Sequence, residues 1–327
     1  MVLICICQFG YAQDVHFSQF DLFHPKVNPA LAGFTPDAYR FSLINRSQWR
    51  AVSEPFRTFG VHAEASDPLG AKGVGLGLSF ITDITGDSRF TTNNLALSGA
   101  YHFKLNNSKH YLGFGGQVSL IQQRIDYSLL SFDNQYNGLF YDPSLSNQET
   151  FGTNKLGFTD FGLGVAYEHR YKKDEFITGG IAWYNLAAVK VSYLENPTVE
   201  LDSRTTLFAT ADRKLNEKYA ILPSLIWSFQ GSLREFIIGG RGRRVLKDRR
   251  GEYQAAYGGI YWRNKDALYL VAGIGINDWY GGLSYDINLS TLREASNARG
   301  GFELVLTYKI SKFSAYLKSH KSCPAFF

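Results

Sequence analysis

The side chains that most often carry chemistry are present in this chain but are not spaced for it. Its 7 histidines are scattered, none at ligand spacing to another. No G-x-S-x-G elbow, H-E-x-x-H, P-loop or helix-opening G-x-G-x-x-G occurs. A hydrolase whose serine and histidine meet only across strands leaves no local motif, and it stands as the one enzymatic alternative. The cysteines are Cys5, Cys7 and Cys323. If the first two leave with a leader peptide, an internal disulfide or a thiolate metal cluster is excluded by arithmetic. The expectation is therefore a protein with no catalytic residue, no cofactor and no metal. Two patterns stay open as binding features. Glycine pairs such as Gly162 and Gly164, or Gly273 and Gly275, have the two-residue spacing of a strand, where a missing side chain lets something pack close. The run Gly240 to Arg250 (GRGRRVLKDRR) is the densest basic patch. It reads either as a grip on lipid phosphates or a partner, or as a solvated hairpin turn. It lacks interleaved aromatics and any recognisable module, so nucleic acid is not an expected partner.

The elements that must position these groups announce themselves by period-two alternation. In the stretch Val74 to Lys104, Val74, Leu76, Leu78 and Phe80 share one face, and Gly75, Gly77 and Ser79 share the other. The second arm repeats it, with Leu95, Leu97, Tyr101 and Phe103 opposite Ala96, Ser98 and Ala100. The connection Thr82 to Arg89 is polar, with Gly86 before Asp87, as a turn needs. The unit recurs. Phe161, Leu163, Val165 and Tyr167 alternate with Asp160, Gly162, Gly164, Ala166 and Glu168, whose terminal carboxylates mark that face as wet. Near the C-terminus Phe302, Leu304, Leu306 and Tyr308 alternate with Glu303, Val305, Thr307 and Lys309.

Arms of this length cross a bilayer at a tilt, and a chain in which every second residue meets lipid keeps a low mean hydropathy despite 15% aromatic residues. No apolar run long enough for a spanning helix lies beyond the N-terminus. The fold class expected is an all-β transmembrane antiparallel barrel of about fourteen strands over residues 39–310, with a two-sheet sandwich as the soluble alternative. Strand ends fall at Val74–Thr82, Thr159–Glu168, Leu233–Arg241 and Gly251–Arg263, among others. An even strand number brings both termini to the periplasmic side. Most long connections, Asp126 to Phe158, Asn185 to Ser203 and Asn288 to Arg299, then fall outside. Gln230 to Ser232 is too short for that rule, Gly242 to Arg250 too long, and Pro223 within a strand points to a bulge or a misplaced strand end.

Residues 1–12 read as a signal peptide, with Gly10, Tyr11 and Ala12 after an apolar run. No basic residue precedes that run, so the start codon is assigned late; neither Cys5 nor Cys7 follows the small residue that lipidation needs. Residues 13–38 alternate poorly and carry Pro25, Pro29 and Pro36. This lead segment packs as a plug or lid in the barrel mouth, or stays a disordered leader. Residues 311–327 form a basic periplasmic tail. A lumen lined by glycine, serine and alanine suits an extended polypeptide held closely, or a pore for small nutrients; a scaffold gripping periplasmic machinery through the tail is the third reading.

Several stretches resemble the PorP/SprF family of the type IX secretion system in the Bacteroidota. They are Phe17–Ser18–Gln19–Phe20 and Asn28–Pro29–Ala30–Leu31–Ala32–Gly33, then Asn45, Arg46, Gln48 and Trp49, then Gly75–Leu76–Gly77 and Ser79 before Asp83 and Gly86. Later come Tyr261–Trp262–Arg263, Asp266 and Ala267, Ser284–Tyr285–Asp286 with Leu289 and Ser290, and the ending Lys321–Ser322–Cys323–Pro324. The resemblance implies an outer-membrane barrel serving type IX secretion and gliding motility. Its partners would be a large secreted adhesin or its C-terminal sorting domain, other type IX components and outer-membrane lipid. No enzymatic activity is implied. Phe17, Gln19, Asn28, Pro29, Arg46, Trp49, Tyr285 and Asp286 are the candidate partner contacts. Residues 128–157 match no family pattern, which makes this loop the place where partner choice would differ.

Overall fold

The computed structural model describes residues 15–312, apart from 51–53, 106–108, 150–151, 173–174, 194–198, 250, 291–295 and 297–298. The signal peptide, the three cysteines and the basic tail past Lys312 lie outside the described residues. Among those described, fourteen strands run antiparallel to their sequence neighbours: β1 (Asp37–Gln48), β2 (Phe56–Ser66), β3 (Val74–Thr85), β4 (Phe90–Leu105), β5 (His110–Arg124), β6 (Lys155–Lys172), β7 (Glu175–Tyr184), β8 (Arg204–Lys214), β9 (Tyr219–Gln230), β10 (Leu233–Arg249), β11 (Glu252–Arg263), β12 (Ala267–Ile276), β13 (Trp279–Asn288) and β14 (Arg299–Ser311). Pairing of β1 with β14 closes the barrel, so no strand is left with a free edge. No helix is long and apolar enough to cross a membrane.

Alternation sets which face each side chain takes. In β4, Leu97 is 59% exposed and its neighbour Ala96 is 2% exposed. Phe41, Leu78, Leu163, Ile260, Leu270 and Leu306 share the outward face. Apolar side chains exposed all the way around a closed sheet are stable only against hydrocarbon. Tyr39, Tyr101, Tyr167, Tyr219 and Trp279, with Tyr308 packed on Trp279, add outward aromatic rings toward strand ends, the composition of an interfacial girdle.

Strand boundaries correct the sequence reading in several places. β10 continues to Arg249, which pairs with Glu252 of β11, so the basic run through Arg249 is strand and not a long loop or a solvated turn. β3 runs on to Thr85, and β6 begins at Lys155. Pro223 causes no bulge. β9 pairs continuously with β10 through Pro223 and Gly240, and the register to β8 is the same on either side; that ladder lapses only between the pairs Thr210–Ser224 and Arg213–Ile221. The proline removes a donor without bending the strand.

One end of the barrel carries the short connections from β2 to β3, β4 to β5, β6 to β7, β8 to β9, β10 to β11 and β12 to β13, none longer than the seven residues 67–73. The other carries the long connections 125–154, 185–203 and 289–298, together with the tight turn at 231–232. The start of β1 and the end of β14 both stand at the short-turn end.

Candidate functional site

Residues 15–36 do not pair with the sheet; they run through the lumen. Proline-rich sequence cannot extend a ladder, so the chain makes three single turns of 3-10 helix at Phe20–Leu22, His24–Lys26 and Pro29–Leu31. Val15 and His16 stand beside Trp49, Lys265 and Asp266 in the half near the long loops, and Thr35 and Pro36 reach the short-turn end. Phe17, Phe20, Phe23, Val27 and Leu31 are buried. Phe17 packs on Phe23 with centroids 5.0 Å apart, and both join Ile44, Ile81 and Val305 in one core cluster. Phe20, Val27, Ala30 and Leu31 join Phe208, Ile226, Ile237 and Tyr261 in a second. The barrel's hydrophobic cores are therefore inside the lumen, built on the lead segment.

Along β1, β13 and β14 the lead segment is held by charge. The Glu303 carboxylate accepts the Ser18 and Gln19 backbone N–H groups, each at 2.8 Å. Arg46 Nη1 donates to Ser18 Oγ at 2.5 Å and Nη2 to Asp286 at 2.7 Å. Ser18 Oγ donates to Asp286 at 2.9 Å, and Arg263 reaches both Asp286 and Ser18 at 3.2 Å. Arg46, Asp286 and Glu303 are all buried, so each charge depends on the others for the solvation it has lost. A second buried hub is Glu64, which meets Arg40 at 2.6 Å, His62 at 3.3 Å, His24 at 3.4 Å and the Gly33 N–H at 3.3 Å.

Against β5, β6 and β7 the same segment is held by shape and by its backbone. Asn28 caps the turn at Pro29–Leu31 by accepting from the Ala30 N–H, and its amide donates to Val165 O and Ile181 O, both at 3.0 Å. Pro29 and Ala30 press on Gly115, where an added Cβ would lie 2.5 Å from the Ala30 nitrogen. Gly164 meets the Asn28 side chain in the same way. His102 Nε2 lies 3.0 Å from Ala30 O, Tyr184 donates to Pro25 O at 3.1 Å, and Arg204 donates to Lys26 O at 3.2 Å. Gly33 turns the chain out with φ +64 and passes Gly75 with no room for a side chain.

The lead segment divides the lumen into two cavities. One, of about 730 Å³, opens toward the long loops; its wall includes Trp49, Phe56, Phe90, Asn94, Gln117 and Asp160. The other, of about 560 Å³, lies toward the short turns, beside Phe34, Phe208, Tyr253, Tyr257, Arg241 and Arg243. The basic run contributes here. Arg241 is paired with Asp21 of the lead segment, and Arg243 makes two bonds to Asp212 at 2.6 and 3.0 Å.

Of the residues singled out in the sequence, Phe17, Gln19, Arg46 and Asp286 converge on the charged wall, and Asn28 and Pro29 on the glycine wall. Trp49 sits apart, at φ 57 with its ring 4.4 Å from Phe56. Tyr285 is 44% exposed on the outer face, turned away from Asp286 by strand alternation. Sequence reading missed Glu303, Glu64 and His102 as contacts of the lead segment. Their signal was a charge or imidazole on the small-residue face of a strand. Two histidines far apart in sequence also meet: His110 and His169 are direct cross-strand partners with Nδ1 atoms 3.2 Å apart. Among the described residues no three His, Cys, Asp or Glu side chains form a metal cluster.

A closed antiparallel barrel with a lipid-facing apolar band and a packed polar lumen defines an outer-membrane β-barrel protein. The monoaromatic hydrocarbon channel CymD superposes with a TM-score of 0.52 at 10% identity, over 89% of this chain and 92% of that one. The Pseudomonas putida toluene transporter TodX superposes with a TM-score of 0.49 at 11% identity, over 88% and 93%. At 10% identity the likeness to CymD is one of fold. No curated protein matches the chain. The model of the type IX secretion system membrane protein PorP/SprF matches residues 9–308, and the chain belongs to that family. It is an outer-membrane component of type IX secretion, and the short-turn end of the barrel faces the periplasm by the loop-length rule for such barrels.

Proposed function

We propose that the protein is a non-catalytic accessory barrel that binds a large secreted adhesin, through its C-terminal sorting domain, and helps export it or hold it at the cell surface. The observation that carries this reading is that the lumen already binds an irregular polypeptide by its main chain. Glu303, Asn28, His102, Tyr184 and Arg204 all engage backbone N–H or C=O groups of, or opposite, the lead segment. Recognition of main-chain groups gives affinity for an extended segment, with side-chain pockets left to give specificity. The periplasmic cavity, walled by Tyr253, Tyr257, Arg241 and Arg243, is where a partner arriving from the periplasm first meets the barrel. On the outside, the loop 125–154 presents Leu139 and Phe140 at 85% and 60% exposure on a turn held by Asn137, a surface on which partner choice would differ.

A channel for small nutrients is the second reading, favoured by the two cavities on either side of a short lead segment. Gentle detergent extraction of the tagged protein followed by mass spectrometry separates the two. Recovery of a large secreted protein or of type IX components supports the accessory role. Recovery of the folded barrel alone, together with solute-gated conductance, overturns it.

A further inference from the structure

The cavity on the long-loop side has a wall that no ion pair uses and that the lead segment touches only at its deepest row, where Ile81 packs with Phe17 and Phe23. It is built by inward residues of β2 to β6 in registered rows. The outermost row is Phe56, Thr85 and Phe90, with Trp49 against Phe56. Next comes Thr58, Asp83, Thr92 and Gln123, each directly opposite the next across the ladder. Below it lie Ile81, Asn94, Ile121 and Phe158. All of these line the one cavity.

Thr58 is spent on Asp83, to which it donates at 2.6 Å. The side chains of Thr92, Asn94 and Gln123 make no hydrogen bond with any described residue, and these half-buried residues line the cavity. Amides and hydroxyls set at the ~4.8 Å spacing of neighbouring strands, between layers of flat aromatic and branched apolar side chains, form a wall with alternating hydrogen-bonding and C–H-accepting strips. Trp49 lies at φ 57, a backbone state that bulky residues rarely adopt, and it is held at the rim of this wall by Phe56. The cavity, about 730 Å³, is of the size of a small-ligand site.

We propose that this outward-facing cavity binds carbohydrate. Sugar rings offer a C–H face to Trp49, Phe56 and Phe90, and equatorial hydroxyls that both donate to and accept from Thr92, Asn94 and Gln123. An extended polypeptide suits the wall less well. It offers few flat C–H faces, and the backbone-engaging groups of this barrel lie elsewhere, around the lead segment. The assignment is independent of the adhesin reading, because the residues concerned lie in a different cavity from the periplasmic one.

The test is binding of the whole purified barrel in detergent to an array of bacterial polysaccharides and oligosaccharides, followed by calorimetric titration of the best binder. Asn94→Leu with Gln123→Leu keeps the barrel heat-modifiable on a gel and weakens binding about tenfold or more, as loss of two directed hydrogen bonds implies. Trp49→Ala weakens it through the ring alone. Arg243→Met, in the other cavity, leaves it unchanged. Failure of every saccharide to bind at millimolar concentration, or binding indifferent to both cavity variants, overturns the proposal. So does loss of a co-purifying secreted protein, in place of sugar, from the Asn94→Leu/Gln123→Leu variant.

Discussion

The lead segment meets opposite walls of the barrel by different physics. Against β1, β13 and β14 its backbone at Ser18 and Gln19 is held by buried charge, with Arg46 between Asp286 and Glu303. Against β5 to β7, Pro29 and Ala30 are held by close fit on Gly115 and Gly164 and by the neutral amide of Asn28. A charged clasp is strong only while complete, since removing one partner leaves the others buried and unpaired. A fitted groove fails gradually, in proportion to the atoms added or lost. The two ends of one short segment therefore differ in how they let go.

The largest expected effect follows from breaking the clasp. Arg46→Met leaves Glu303 without its buried cation and costs about 3–5 kcal/mol, read as a lowered urea midpoint in micelles. Hydrogen exchange of the same variant should rise at residues 17–19 while 28–30 stay protected. Gly115→Ala reverses the pattern, because the new methyl must displace Ala30; it costs about 1–3 kcal/mol and exposes residues 28–34. Equal exposure of both ends in either variant would show that the segment releases as one unit. Asn28→Ala sharpens it. Val165 O and Ile181 O lose a shared donor, for about 1–2 kcal/mol, with no change at Ser18.

The smallest effect is outside both walls, where Lys312 at the end of β14 donates to Asp67 at 2.6 Å. Burial works against ionisation there, but the bonds from Lys312 and the Gly73 N–H hold the Asp67 carboxyl below its ordinary value. A carboxyl lowered on folding contributes above its unfolded pKa and loses that contribution as the pH falls through the folded value. Lys312→Met should cost ~0–1 kcal/mol at pH 7, and the difference from the parent chain should vanish in acid.

The barrel was legible in the sequence because a period-two pattern is local: Leu76, Leu78 and Phe80 point outward whatever lies inside. β2, β7 and β12 end where alternation ends. β10 was cut short because the basic run that begins at Gly240 looked like a solvated turn, whereas inside the lumen Arg241 is neutralised by Asp21 of the lead segment and Arg243 by Asp212 of β8, residues remote in sequence. Asp160 and Glu168, which mark one face of β6 as wet in the sequence, each line one of the two lumen cavities. Both are buried, and the glycines between them are packed against Asn28 and Tyr184. The candidate contacts Phe17, Gln19, Asn28, Arg46 and Asp286 were picked out by the family resemblance, one by one and not as one assembly. Local spacing carries no sign that residue 18 meets residue 303.

Occupation of the lumen by the lead segment is tested most directly by single-channel conductance of the full-length chain in a planar bilayer. A barrel filled by residues 15–36 passes no steady current, and Arg46→Met introduces openings as the clasp fails. Steady, voltage-independent steps from the unmodified chain, unchanged by Arg46→Met, would contradict it.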